Sequence, residues 1–476
     1  FAATSEVVGI CLKVIAALLR EATTQPRPAA GAAAGGADAD KTRQDFELGA
    51  EIEETRVGGG ATMSESQLRW LVAFLSVHLE DVSMQNALFG LLRVIFARRF
   101  VLAELYDLVG LLGEMVLQAD APAVRRSCSQ LYLSFLLTYP LGPKRLQQHL
   151  NFFVTNLAYP VAHGRLSLLE LMHDTVGRLP LEVLRRQAEL LLLPLTTRLV
   201  NDADHECRVA VGRVVRRLLQ RTCVAEGSDA EAAKAREKLF VLLRTWYGDA
   251  APSALGRAAA QVAGLAVEAL GTGATNLAPK LVPLLMSSCA AAAGEAGKAG
   301  GGDHWQTLYY SLKAFEKLAS LQPALLTSEE SQPMWGSMSA LLLHSHGWVR
   351  NAAGRLLGLL FVEVRPDDLC SPPAAVAGGA RAHEAAGGVA AEHFLRRRGA
   401  LLQLGDAVLD QLQSSALSEA ASVQSLKNLL WISAALLRQP KLAPPACERM
   451  MPTAKLPDDE ACATVAAEPS LWAACA

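Results

Sequence analysis

A helix–turn–helix unit recurs along this chain about every forty residues, and that period limits the fold more than any other feature. It is clearest at Arg198–Arg221, RLVNDADHECRVAVGRVVRRLLQR. Leu199 closes an apolar run containing Leu190, Leu191, Leu192, Leu193 and Leu195, and Asn201-Asp202-Ala203-Asp204 supplies turn and N-cap residues. A second helix follows at once, with Cys207, Val211, Val214, Val215, Leu218 and Leu219 at helical spacing on one face. Similar second-helix starts fall at Gln85, Arg125, Arg165, Arg208, Arg257, Tyr310 and Arg350, at intervals of 40, 40, 43, 49, 53 and 40 residues. A hairpin with one apolar stripe cannot bury that stripe alone; it must lean on a copy of itself. The expectation is an all-α fold, a HEAT- or armadillo-like α-solenoid of stacked antiparallel helix pairs with Ala/Gly-rich loop insertions.

The organisation read along the chain has six parts. Residues 1–22 finish an upstream helical repeat, so the chain, which opens at Phe1, reads as a piece of a longer polypeptide. Residues 23–62 are Ala-, Gly-, Asp- and Pro-rich and read as disordered or a long loop. Residues 63–364 form the repeat array, opened by a capping-box-like Ser64-Glu-Ser-Gln67. Residues 365–392 are an Ala/Gly-rich insertion, as is 290–302; residues 393–440 add a terminal pair, Leu395–Leu412 and Val423–Arg438; and 441–476 is an irregular tail.

At 51% apolar residues there is ample material for a continuous core, while aromatics are only 6%. The net charge of −2 excludes a polycation, so any affinity for nucleic acid must come from local patches. Nine cysteines lie scattered without a CxxC pair, which fits a reducing compartment and argues against zinc. No apolar run reaches the roughly 18 residues of a membrane span. There is no P-loop, Gly-x-Ser-x-Gly elbow, HExxH or dinucleotide fingerprint. The expectation is therefore no enzyme, no cofactor, no small-molecule substrate and no membrane. His344, His346, His383 and His393 read as caps and packing rather than metal ligands, since the first two share one turn and the others are separated from them by an Ala/Gly-rich stretch. Trp246, Trp305, Trp335, Trp348 and Trp431 share no spacing and read mostly as inter-repeat packing with locally bonded indole N–H groups.

The candidate site is the arginine strip Arg208, Arg213, Arg216, Arg217 and Arg221, which carries no acid within it. Phosphate contacts need several cations along one rigid surface, and a helix provides that. The competing reading is a solvated face paired with the acids of a neighbouring helix. Arg125, Arg165, Arg208, Arg257 and Arg350 form a second series, a ladder expected to bond turn acids rather than a ligand.

Nine short blocks, taken in order, resemble one family: ALFGLL (87–92), YPLG (139–142), HLNFF with NLAY (149–159), GR (164–165), LVND (199–202), TWYG (245–248), HSHGWV (344–349), LGLLF (357–361) and KNLL (427–430). Their series is similar to the C-terminal region of component 20 of the small-subunit processome, the family also called down-regulated in metastasis, over about residues 68–440. The resemblance implies a large nucleolar HEAT-repeat scaffold of pre-ribosomal particles, with pre-ribosomal proteins and pre-rRNA or small nucleolar RNA as partners, needed for 18S rRNA maturation. It implies no catalytic residue. Its rival is a HEAT-repeat nuclear transport receptor or adaptor binding protein cargo, which would respond to a small GTPase rather than sediment with pre-ribosomes.

Overall fold

The computed structural model describes residues 2–21, 63–224, 229–248, 253–295, 304–369, 393–413 and 417–438. Among them every regular element is helical. The expectations for 23–62, for most of the 365–392 insertion and for the 441–476 tail lie outside these residues, as does His383. The chain divides into two bodies, Phe1–Thr222 and Cys223–Ala476.

The first body holds α1 (Ala2–Glu21), α2 (Glu65–His78), α3 (Gln85–Ala97), α4 (Ala103–Gln118), α5 (Pro122–Thr138), α6 (Pro143–Asn156), α7 (Ala162–Arg178), α8 (Leu181–Asn201) and α9 (His205–Cys223). Even-numbered helices open each hairpin and odd-numbered ones close it. The closing helices lie side by side in chain order, α1 on α3, α3 on α5 and α5 on α7, while the opening helices pair as α2 with α4 and α6 with α8. This is the stacking that the period demanded. Ser64 caps α2 as expected: its hydroxyl accepts from the Gln67 N–H, and the Gln67 side chain accepts from the Ser64 N–H.

The buried face of α5 carries Cys128, Leu131, Tyr132, Phe135 and Leu136, and that of α9 carries Cys207, Val211, Val214, Val215, Leu218 and Leu219. Aromatic rings thicken the core where α3, α4 and α5 meet. Phe135 stacks on Tyr139 at 4.3 Å and meets Tyr106 edge-on at 5.2 Å. The Tyr132 hydroxyl bonds His149 Nδ1 at 2.8 Å, and burial holds that imidazole down at about 4, so it is neutral at physiological pH. Gly164 marks a close approach of α7 to the end of α4. A Cβ there would lie 2.5 Å from the Leu117 carbonyl oxygen and 2.7 Å from the Tyr159 ring.

The second body holds α10 (Ala230–Tyr247), α11 (Ser253–Leu270), α12 (Ala278–Glu295), α13 (His304–Leu321), the short α14 (Gln332–Gly336) and α15 (Met338–Leu342), α16 (Gly347–Glu363), α17 (Arg398–Gln413) and α18 (Glu419–Arg438). Its closing helices stack in order as α11, α13, α16 and α18. The α16 face Val349, Ala352, Ala353, Leu356, Leu357 and Leu360 is fully buried, as the spacing required. Asn428 is buried between α16 and α18, where its Nδ2 donates to the Gly354 carbonyl at 2.8 Å and its Oδ1 accepts from Gln424.

Two local expectations are corrected. Residues 290–295 are not loop: α12 continues to Glu295, because alanine, however low its sequence complexity, is the strongest helix former. The last pair begins with a 3-10 turn at Phe394–Arg396, with α17 starting at Arg398 rather than Leu395. Most of the tryptophans pack as expected. The Trp335 and Trp431 indole N–H groups bond the Leu326 and Val364 carbonyls, but Trp348 is 56% exposed.

The arginine ladder is a structural device whose partners differ from those expected. In four hairpins the arginine near the start of the closing helix turns its Nη1 back onto two carbonyls of the preceding turn. Arg125 reaches Ala119 and Asp120 at 2.6 and 2.7 Å, and Arg165 reaches Tyr159 and Pro160 at 2.8 and 2.9 Å. Arg208 reaches Asp202 and Ala203 at 2.6 and 3.1 Å, and Arg350 reaches His344 and Ser345 at 2.8 and 2.9 Å. The last carbonyls of a helix and its turn lack intrahelical partners, and a guanidinium fork supplies two donors to them at once. Of these four, Arg165 also makes the expected bond to an acid, its Nε and Nη2 donating to the two Asp202 carboxylate oxygens at 3.0 and 2.9 Å. Arg257 instead donates to the Gln306 side chain on α13.

Candidate nucleic-acid interface

Helix α9 is positioned by the turn before it. Asp204 accepts the Cys207 N–H at 2.8 Å, which starts the helix, and Cys207 seats its thiol against the Ala162 carbonyl of α7. With the apolar stripe facing inward, the arginines must face outward. Five of them lie between Cys207 and Cys223, and no acid accompanies them.

The structure separates the five. Arg208 is held in the turn through the Asp202 and Ala203 carbonyls and lies apart from the rest. Arg216, Arg217 and Arg221 follow Arg213 by three, four and eight residues, which spreads the four over an arc of roughly 140° on the outward half of the helix. Arg213 and Arg216 are exposed; Arg217 and Arg221 are half-buried. Arg221 Nη1 donates to the Val176 carbonyl at 3.0 Å, and Arg217 lies over Gly177 while bonding Gln220 at 3.2 Å. These two therefore cover the C-terminal end of α7, where the helix dipole favours a cation. Arg213 makes no hydrogen bond or ion pair with the described residues.

Arg213 lines a groove of about 510 Å³ running across α5, α7 and α9. Arg126, Ser129 and Gln130 of α5 and His163, Glu170 and Asp174 of α7 line it as well. Two exposed guanidinium groups thus face a trough whose floor offers carboxylates and neutral polar groups. The cations suit phosphate oxygens, and the acceptors suit hydroxyl groups. Arg126 was missed from sequence because it adjoins ladder residue Arg125 and looks like part of the same pair. The signal available was that consecutive helix residues point about 100° apart, so only one of them could enter the turn.

Nothing in this region is arranged for covalent chemistry. Burial pushes the Cys128 thiol up to about 12 and the Cys207 thiol up to about 11, so neither is a nucleophile near neutral pH. His346 and His393 act as helix caps, accepting the Trp348 and Leu395 N–H groups. Among the described residues no group of three or more His, Cys, Asp or Glu side chains could hold a metal ion, and no helix is long and apolar enough to cross a membrane.

No family model matches the chain. The U3 small nucleolar RNA-associated protein 20 of Schizosaccharomyces pombe is 27% identical over 375 residues, covering 78% of this chain and 14% of that protein. The protein of the same name from Saccharomyces cerevisiae is 23% identical over 302 residues, covering 62% of this chain and 11% of that protein. The chain thus spans about a seventh or less of the length of these relatives. Among solved structures, one of importin beta is 12% identical, covering 77% of this chain and 49% of that one, with a TM-score of 0.31. A score that low carries no weight here; the helix stacking described above does. The ordered sequence blocks and these two relatives agree: over most of its length the chain is similar to the U3 small nucleolar RNA-associated protein 20 of two yeasts.

Proposed function

We propose that this chain is part of a non-catalytic scaffold of the small-subunit processome, working in the nucleolus on pre-ribosome assembly and 18S rRNA maturation. It does so by holding protein and RNA against extended faces of stacked helices. The reading is supported most by the relatives' shared name, which places them with a small nucleolar RNA. The fold agrees with it: stacked hairpins offer long surfaces for holding partners. In this reading Arg213, Arg216, Arg217 and Arg221 contact phosphates, Arg208 keeps the turn in shape beside them, and pre-ribosomal proteins occupy other faces.

Replacing Arg213, Arg216, Arg217 and Arg221 together by Glu tests the strip. Helicity by circular dichroism stays at the level of the parent chain, because all four are exposed or half-buried. Association with pre-ribosomes on a sucrose gradient weakens. Its salt dependence becomes shallower, since the altered helix neutralises fewer phosphates and so releases fewer counterions on binding. Unchanged sedimentation would return the strip to an ordinary solvated face.

A further inference from the structure

The N-terminal ends of α13 and α16 bring four rings together at the surface of the second body. The His346 imidazole lies flat on Trp305, 3.5 Å between centroids and 8° between planes. Trp348 stands edge-on to both, at 5.6 and 5.7 Å. Tyr309, one turn beyond Trp305, approaches Trp348 to 5.6 Å. The cluster is preorganised, because His346 Nδ1 also accepts the Trp348 N–H as the cap of α16, so the imidazole cannot swing away without uncapping the helix. The packing still leaves more than half of the Trp348 side chain in water.

Among the described residues, the helix ends that carry the rings are richer in basic than in acidic side chains. The first twelve residues of α11, α13 and α16 contain no Asp or Glu, but include Arg257, Lys313, Arg350 and Arg355. Lys313 and Arg355 pair with Glu316 further along α13. Arg350, two residues from Trp348, bonds neutral carbonyls through its Nη1 and makes no ion pair with the described residues. An acidic peptide would use that charge and leave the ring faces bare, and an apolar peptide would cover the rings and gain nothing from the charge. Single-stranded nucleic acid offers flat bases and a phosphodiester together.

We propose that Trp348, Trp305 and Tyr309 form a stacking site for unpaired bases of single-stranded RNA, with Arg350 favouring the adjoining phosphodiester. The choice of RNA as ligand rests on the processome reading; the place and the base-stacking chemistry go beyond it.

The test uses the purified chain, a labelled oligouridylate of about twelve nucleotides and an RNA duplex of the same length, followed by anisotropy and tryptophan emission. The single strand binds and quenches emission. Trp348→Ala weakens that binding about tenfold, Trp348→Phe restores most of it, and duplex binding is unchanged. Melting curves accompany each variant, and Tyr309→Leu, a second route to the same loss, covers the case in which Trp348→Ala perturbs the fold. Equal single-strand binding by parent and Trp348→Ala overturns the proposal, as does Trp348-dependent binding of a proline-rich peptide without RNA binding. A chain that sediments with pre-ribosomes yet binds RNA independently of Trp348 removes this inference alone. One that stacks bases on Trp348 but never sediments with pre-ribosomes removes the functional reading alone.

Discussion

Replacing Asp202 by Ala destabilises the α7–α9 region by about 3–5 kcal/mol, the cost of stranding a buried cation without its partner. Arg165 is 9% exposed and Asp202 5% exposed, and the two share a bidentate pair at 3.0 and 2.9 Å. In the Asp202→Ala chain the Nη1 group keeps its bonds to the Tyr159 and Pro160 carbonyls, so the arginine stays in place while Nε and Nη2 lose their acceptors. The Asp204 N–H loses one too, since it donates to Asp202 at 3.0 Å. Exchanging both members together, Arg165→Met with Asp202→Leu, recovers most of the loss, because no buried charge then remains. Hydrogen exchange of the α7 and α9 amides in the full chain reads the opening free energy. A cost below about 1 kcal/mol for Asp202→Ala, the range of exposed pairs, would mean that the pair does not lock the α8–α9 turn onto α7.

Leu136→Asp abolishes the cooperative folding of the first body. Leu136 is 5% exposed on α5, and α5 is the helix that α3, α4 and α7 all touch. Two costs add there: the lost packing of a buried leucine, about 2–5 kcal/mol, and a carboxylate taken out of water, several kcal/mol more before it takes up a proton. In a stack of repeats each interface stabilises two hairpins, so the defect spreads to the hairpins on either side. Leu136→Ala, carrying the first cost alone, lowers the melting temperature but keeps a single transition. Full helicity and an unaltered melt for Leu136→Asp would show that the core face of α5 has been misplaced.

Sequence revealed the stacking because a 3.6-residue apolar period is a local property. Cys128 through Leu136, Cys207 through Leu219 and Val349 through Leu360 could all be assigned to a buried face without knowing their neighbours. The ladder was legible as a set of positions and illegible in its bonds. Arg125, Arg208 and Arg350 recur at one place in the repeat, yet the acceptors of their Nη1 groups are backbone carbonyls, which no residue letter announces. The same limit separated Arg208 from the four arginines with which it was grouped. The aromatic cluster was hidden for another reason. Trp305 lies 41 residues before His346 and 43 before Trp348, so only the seating of α16 on α13 brings the rings into contact. The irregular α14–α15 segment broke the helical period into five-residue pieces, too short for any periodicity to register.

In the proposed reading, closing helices of each body hold RNA within a pre-ribosomal particle. Ultraviolet crosslinking in cells, with the crosslinked peptides and nucleotides both mapped, tests it most directly. Ribosomal-precursor or small nucleolar RNA is expected on peptides of α9 and of the α13–α16 ends, with the α9 crosslinks lost in the fourfold Arg→Glu chain. RNA-free recovery of both segments from particles that contain the protein would contradict it.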